Sequence, residues 1–81
     1  MVGTEESEIH FGHLIKKLLR EEGRSISWFA ERMHSDRSNM YKMLERSHVD
    51  TQFILKASIV LKHNFFNDAS LWYINHKSVK D

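Results

Sequence analysis

The chain has 81 residues, no cysteine and no proline, 12 lysines and arginines against 11 aspartates and glutamates, and a formal net charge of +1. One domain is expected at this length, burying roughly 60% of its unfolded surface, and without cysteine it can form neither a disulfide nor a thiolate site. No apolar run approaches the ~20 residues of a membrane span, and the acidic start, Met1 to Glu6, does not read as a secretory signal; a cytoplasmic protein is expected.

Residues 1–8 read as a flexible N-terminus and 9–74 as the folded domain. A first helix is predicted from about Glu8 to Glu22. Phe11, Leu14, Ile15, Leu18 and Leu19 recur at the i, i+3, i+4, i+7, i+8 spacing of a core-facing stripe, with Lys16, Lys17, Arg20 and Glu21 on the wet side. Gly23 supplies the left-handed residue that ends it. Ser25 suits the N-cap of a second helix, its hydroxyl accepting a free first-turn amide. Ile26, Phe29, Ala30 and Met33 form that helix's apolar face, and Ala30 is the small residue expected to let the next helix cross closely.

His34-Ser35-Asp36 is a tight polar turn, and Asp36 suits the cap of a third helix, where its charge also favours the positive helix end. Met40, Met43 and Leu44 turn inward, which leaves Arg37, Ser38 and Asn39 projecting outward with Tyr41 and Lys42 behind. Ser47 to Asp50 is a polar link. Asp50 or Thr51 can cap a fourth helix through Lys62, with Ile54, Leu55, Ala57, Ser58 and Leu61 inward. His63-Asn64 breaks it, and a short fifth helix from about Phe66 to Tyr73 follows, in an aromatic run of Phe65, Phe66, Trp72 and Tyr73. Residues 75–81 read as a frayed tail. No segment alternates like a strand, so the fold class expected is all-α, a compact five-helix bundle.

Five helices in this order, with a helix-turn-helix at helices two and three, resemble the Cro/C1-type (XRE-family) DNA-binding domain of phage and bacterial repressors over about Phe11 to Phe66. The matching residues are Phe11-Gly12 and Ile15, Gly23 and Ser25, then Ala30, Met33, Met40 and Met43. Asp36-Arg37-Ser38-Asn39 stands where the family often has Ser-Arg-Ser-Thr, and Leu55-Lys56 and Leu61 match helix four. The resemblance implies a lambda-repressor-like bundle that binds double-stranded DNA as a small transcriptional regulator of phage, plasmid or bacterial repressor type, usually as a homodimer. Three positions depart from the family. Its turn glycine is His34, a residue that tolerates a left-handed backbone better than most. Its frequent ion pair between helices one and three is replaced by Leu19 and Leu44, a swap from buried charge to packing that predicts contact between the two. Its polar residue at the start of helix two is Ile26.

A short helix led by Arg, Ser and Asn suits the major groove. Arg37, Ser38, Asn39 and Lys42 are the candidate base contacts, with Arg37 the sharpest because its planar fork matches guanine O6 and N7; Lys42, like Arg46, reads more readily as a phosphate contact than as a base reader. Ser25, Ser27, Tyr41, Arg46, Ser47 and His48 are the candidate phosphate contacts. Ser38 and Asn39 could equally satisfy the helix's first turn, and Tyr41 could fold back on the core. The net charge of +1 is low for a dedicated DNA binder, which favours the alternative of a helical protein-interaction or antitoxin-like module. Trp28 would serve such a module as an interface anchor, or it packs partly buried; the aromatic C-terminus lids the core or pairs two subunits. Of six histidines only His10 and His13 have helical pair spacing, and no partner set completes a metal site. No cofactor is expected. Nor is an enzyme: no nucleophile–base order, Gly-rich phosphate loop or paired inward carboxylates emerges.

Overall fold

The computed structural model describes residues 9–77, and within them the chain forms five helices and no strand: α1 (Phe11–Glu21), α2 (Ile26–Arg32), α3 (Arg37–Glu45), α4 (Thr51–Leu61) and α5 (Phe65–Lys77). The first and last stretches of the predicted pattern, 1–8 and 78–81, lie outside the described residues.

Each boundary has a local chemical cause. His10 precedes α1, and its Nδ1 accepts from the His13 amide at 3.2 Å, so among the described residues the helix starts at Phe11. Ser25 Oγ accepts from Trp28 N at 3.0 Å, Asp36 Oδ1 from Asn39 N at 2.7 Å and Asp50 Oδ1 from Phe53 N at 2.8 Å. Each satisfies an amide that the first helical turn leaves without a partner. At the other ends, Gly23 has φ +70°, and the Arg24 amide reaches back to the Leu19 carbonyl at 2.8 Å, the bond pattern that closes a helix C-terminus.

The turn between α2 and α3 repeats this device without glycine. His34 adopts φ +61°, and the Ser35 amide bonds the Ala30 carbonyl at 2.9 Å. Lys62 does the same after α4 at φ +53°. A left-handed backbone costs a residue with a Cβ roughly 1–2 kcal/mol, and in both cases the closing hydrogen bonds and the core on either side hold the turn in place.

One apolar cluster joins all five helices: Ile15 and Leu19 from α1; Phe29, Ala30 and Met33 from α2 and its end; Met40 and Leu44 from α3; Phe53, Ile54, Ala57 and Leu61 from α4; and Phe65 from α5. Full burial of such a side chain contributes roughly 1.5–3 kcal/mol. Leu19 and Leu44 are both buried in it, on helices that pack together. Phe11, Leu14, Leu18, Ile26, Trp28 and Met43 pack against its edge, half-buried.

α1 approaches the end of α3 closely at Gly12. A Cβ on this residue would stand 1.9 Å from the Leu44 carbonyl oxygen, so α1 can lie against the end of α3 only because position 12 has no side chain. Ala30 is buried as expected, and a close passage is found one helix earlier as well.

Two further differences from the sequence pattern concern the C-terminal half. Leu55, expected inward, is 44% exposed; the stripe of α4 instead takes Phe53 together with Ile54, Ala57 and Leu61, consistent with 3.6 residues per turn. The last helix begins at Phe65 and continues through Asn75, His76 and Lys77, three residues assigned to a frayed tail from sequence. Its start is fixed by Asn64 Oδ1, which accepts from Phe66 N at 3.0 Å, and by Ser58 Oγ, which accepts from Phe65 N at 3.2 Å while donating to the Ile54 carbonyl.

Candidate nucleic-acid interface

α3 is positioned from both ends and from beneath. Asp36 caps its start, Met40 and Leu44 anchor it in the core, and Met43 is half-buried. Residues 37, 38, 41 and 42 fall on the opposite side of the helix, so Arg37, Ser38, Tyr41 and Lys42 share one exposed stripe. The Arg37 guanidinium lies 5.7 Å from the Tyr41 ring centroid, a cation–π distance that orients the arginine along the helix. Tyr41 is 42% exposed and lies on the surface, away from the core.

Asn39 is exposed but its side chain turns back. Its Nδ2 donates to Ser35 Oγ at 3.2 Å and approaches Met43 Sδ at 3.7 Å, and its backbone amide is held by Asp36. The asparagine thus fastens the turn to the first coil of α3.

The remaining candidates flank the helix, and all are exposed. Ser25 and Ser27 stand at the start of α2. Ser25 Oγ already accepts a capping bond, but a hydroxyl keeps its proton to donate. Arg46 ends α3, and Ser47 Oγ and His48 Nδ1 lie 3.3 Å apart in the link that follows.

The electrostatics are decided by which carboxylates are already engaged. Among the described residues Lys16 forms an ion pair with Glu45, and His63 Nε2 lies 2.7 Å from Asp68 Oδ2. Arg37, Lys42 and Arg46 have no carboxylate partner there. Asp36 and Asp50 face amides at helix starts, and Glu45 is taken by Lys16, whose hydrogen bond and then whose charge hold the Glu45 carboxyl below the usual carboxylate range, against the opposing effect of desolvation. Arg37, Lys42 and Arg46 thus stand on and just after α3 as three cations that no carboxylate of the described residues holds in an ion pair.

Several organising contacts were not read from sequence. Lys16–Glu45 and a His10 Nε2 contact to the Glu45 carbonyl at 3.3 Å bind α1 to the end of α3. Lys56 Nζ donates to the Met33 carbonyl at 3.1 Å, tying α4 to the turn before α3. Arg24 and Arg32 both lie over the Trp28 ring; their spacing of four from Trp28 was visible in the sequence and is its one available signal. Among the described residues no three His, Asp or Glu side chains gather as a metal site. No family model, curated protein or solved structure matches the chain; the functional conclusion rests on α3 and its flanks.

Proposed function

We propose that the chain binds double-stranded DNA with sequence preference, as a small transcriptional regulator similar to the Cro/C1 type, with α3 in the major groove. The observation that carries this is the exposed stripe Arg37, Ser38, Tyr41 and Lys42 on a nine-residue helix anchored by Met40 and Leu44, its cations free of carboxylates among the described residues. A helix presented in this way fits the width of the groove. Arg37, at the leading end, forks to guanine O6 and N7; Ser38 reaches a base or a phosphate. Lys42, a turn later, meets the groove wall. Asn39 reads a base only by releasing Ser35, which makes it the weaker of the leading residues. Ser25, Ser27, Tyr41, Arg46, Ser47 and His48 meet phosphates on either side, fixing register without reading sequence. Two copies on half-sites one helical turn, ~34 Å, apart suit such a domain, and the exposed Leu71 and Ile74 of α5 are available to pair them.

Selection of a preferred duplex from a random pool, followed by titration of two variants, tests this. Arg37→Ala should cost about 1–3 kcal/mol on the preferred site and relax base choice there. Lys42→Ala should weaken all duplexes alike and lower the salt slope by about one phosphate contact. A folded protein with no duplex binding at low salt would overturn the proposal in favour of a protein-interaction module. Equal, sequence-independent losses for both variants would remove Arg37 as a reader.

A further inference from the structure

Phe29 and Ala30 of α2 enter the core, whereas the half-buried Trp28 beside them is flanked by two arginines. The Arg24 guanidinium carbon lies 4.2 Å from the Trp28 ring centroid and that of Arg32 lies 5.0 Å from it. With Val60, Leu61 and Lys62 at the end of α4, these residues line a cavity of about 640 Å³ whose one carboxylate is Glu22. Arg24, Arg32 and Lys62 are exposed, and none is ion-paired among the described residues. A guanidinium stacked on an aromatic ring keeps its N–H donors in plane and pointing outward, in the fork that a carboxylate matches with two bonds. Stacking also removes much of the rotamer freedom that an arginine otherwise loses on binding.

We infer that this cavity receives an acidic peptide segment of a partner protein. Carboxylates of the segment pair with Arg24 and Arg32, Lys62 adds a point charge, and an aliphatic side chain of the segment covers Val60 and the edge of Trp28. The half-buried Val60 and the Trp28 edge give an aliphatic side chain a small apolar seat beside the cations. Trp28, engaged by guanidinium groups and packed against the core, offers little open ring on which a base could stack. No residue lining the cavity belongs to α3 or to the link after it, although Arg24 and Trp28 adjoin Ser25 and Ser27, so the cavity borders the proposed DNA surface and competition with a duplex tells the two apart.

The test is fluorescence anisotropy at low ionic strength, with the full chain titrated into a short labelled peptide of glutamates interspersed with leucines. Saturable binding is expected, weakened at least about tenfold when glutamine replaces glutamate in the peptide, and equally by the double variant Arg24→Gln, Arg32→Gln. Both arginines are exposed, so circular dichroism and the melting temperature should show this variant folded like the parent. Absence of saturable binding to the parent chain would overturn the inference. So would equal affinity for the glutamine peptide, or undiminished binding by the double variant. Displacement of the peptide by a duplex, accompanied by loss of duplex affinity in the double variant, would overturn it by making the cavity part of a nucleic-acid surface; a ternary complex of chain, duplex and peptide would support it.

Discussion

α1 and α5 are of similar length, 11 and 13 residues, and stand in opposite relations to the core. α1 buries Gly12, Ile15 and Leu19 along its length and is fastened to the end of α3 by the Gly12–Leu44 contact and the Lys16–Glu45 pair. α5 buries Phe65 at its first residue and leaves Leu71, Tyr73 and Ile74 half-exposed or more. The cause lies in the spacing of apolar residues. Those of α1 recur three and four apart and form one stripe, whereas Phe65, Phe66, Leu71, Trp72, Tyr73 and Ile74 run around α5 and cannot all face one neighbour. A helix with a stripe is held along its length; a helix with an apolar belt is held where it enters the core and by local ties such as His63–Asp68 at 2.7 Å.

The contrast can be broken hardest at Leu44. Leu44→Glu buries an unpaired carboxylate between α3 and α1 and should cost about 3–5 kcal/mol in chemical denaturation. Adding Leu19→Arg should recover much of the loss. A double variant no more stable than Leu44→Glu would mean that the two positions do not face each other. Gly12→Ala should come next, at about 1–3 kcal/mol or more, because the added carbon meets a backbone carbonyl that cannot swing aside. A change within experimental error would show that α1 and α3 can separate freely.

The ion pair across the same seam gives a smaller, pH-dependent effect. The Glu45 carboxyl is held below its ordinary value by Lys16, so its contribution is present above the ordinary carboxylate range and fades as pH falls through the lowered value. Lys16→Met should therefore lower stability slightly at neutral pH, converge on the parent at acid pH and so flatten the acid limb of the stability–pH curve. An identical acid limb in the variant would remove the pair as its source. The least change is expected on α5: Ile74→Gln, at a site 50% exposed, should stay within about 0.5 kcal/mol. A loss well above that, growing with protein concentration, would reveal a second copy covering the helix.

What the sequence disclosed and what it concealed divide along the same line. Ser25, Asp36, Asp50, Gly23 and the left-handed His34 were legible because a cap or a turn is decided by neighbours within a few residues. The exposed stripe of Arg37, Ser38 and Lys42 was legible because helical spacing fixes it once Met40 and Leu44 are inward. The seam was not. Lys16 and Glu45 are 29 residues apart, and only the relative register of two helices brings them together, so Gly12 read as a family match and not as a point of close approach. Leu55 was misplaced because both Phe53 and Leu55 border the α4 stripe and only packing chooses between them. Asn39 showed its position in the sequence but not its rotamer, and it is the rotamer that engages its amide with Ser35.

The seam has a consequence for any encounter at α3. With Leu44 resting on a residue that has no side chain and Glu45 held through both its carboxylate and its carbonyl, the end of α3 is tied to α1 at two adjacent residues. A partner that meets Arg37 and Lys42 meets a surface already in its final shape. Association there should proceed as a rigid-body event, with little backbone rearrangement; the ordering cost is then confined to a few long side chains, each roughly 0.5–1.5 kcal/mol.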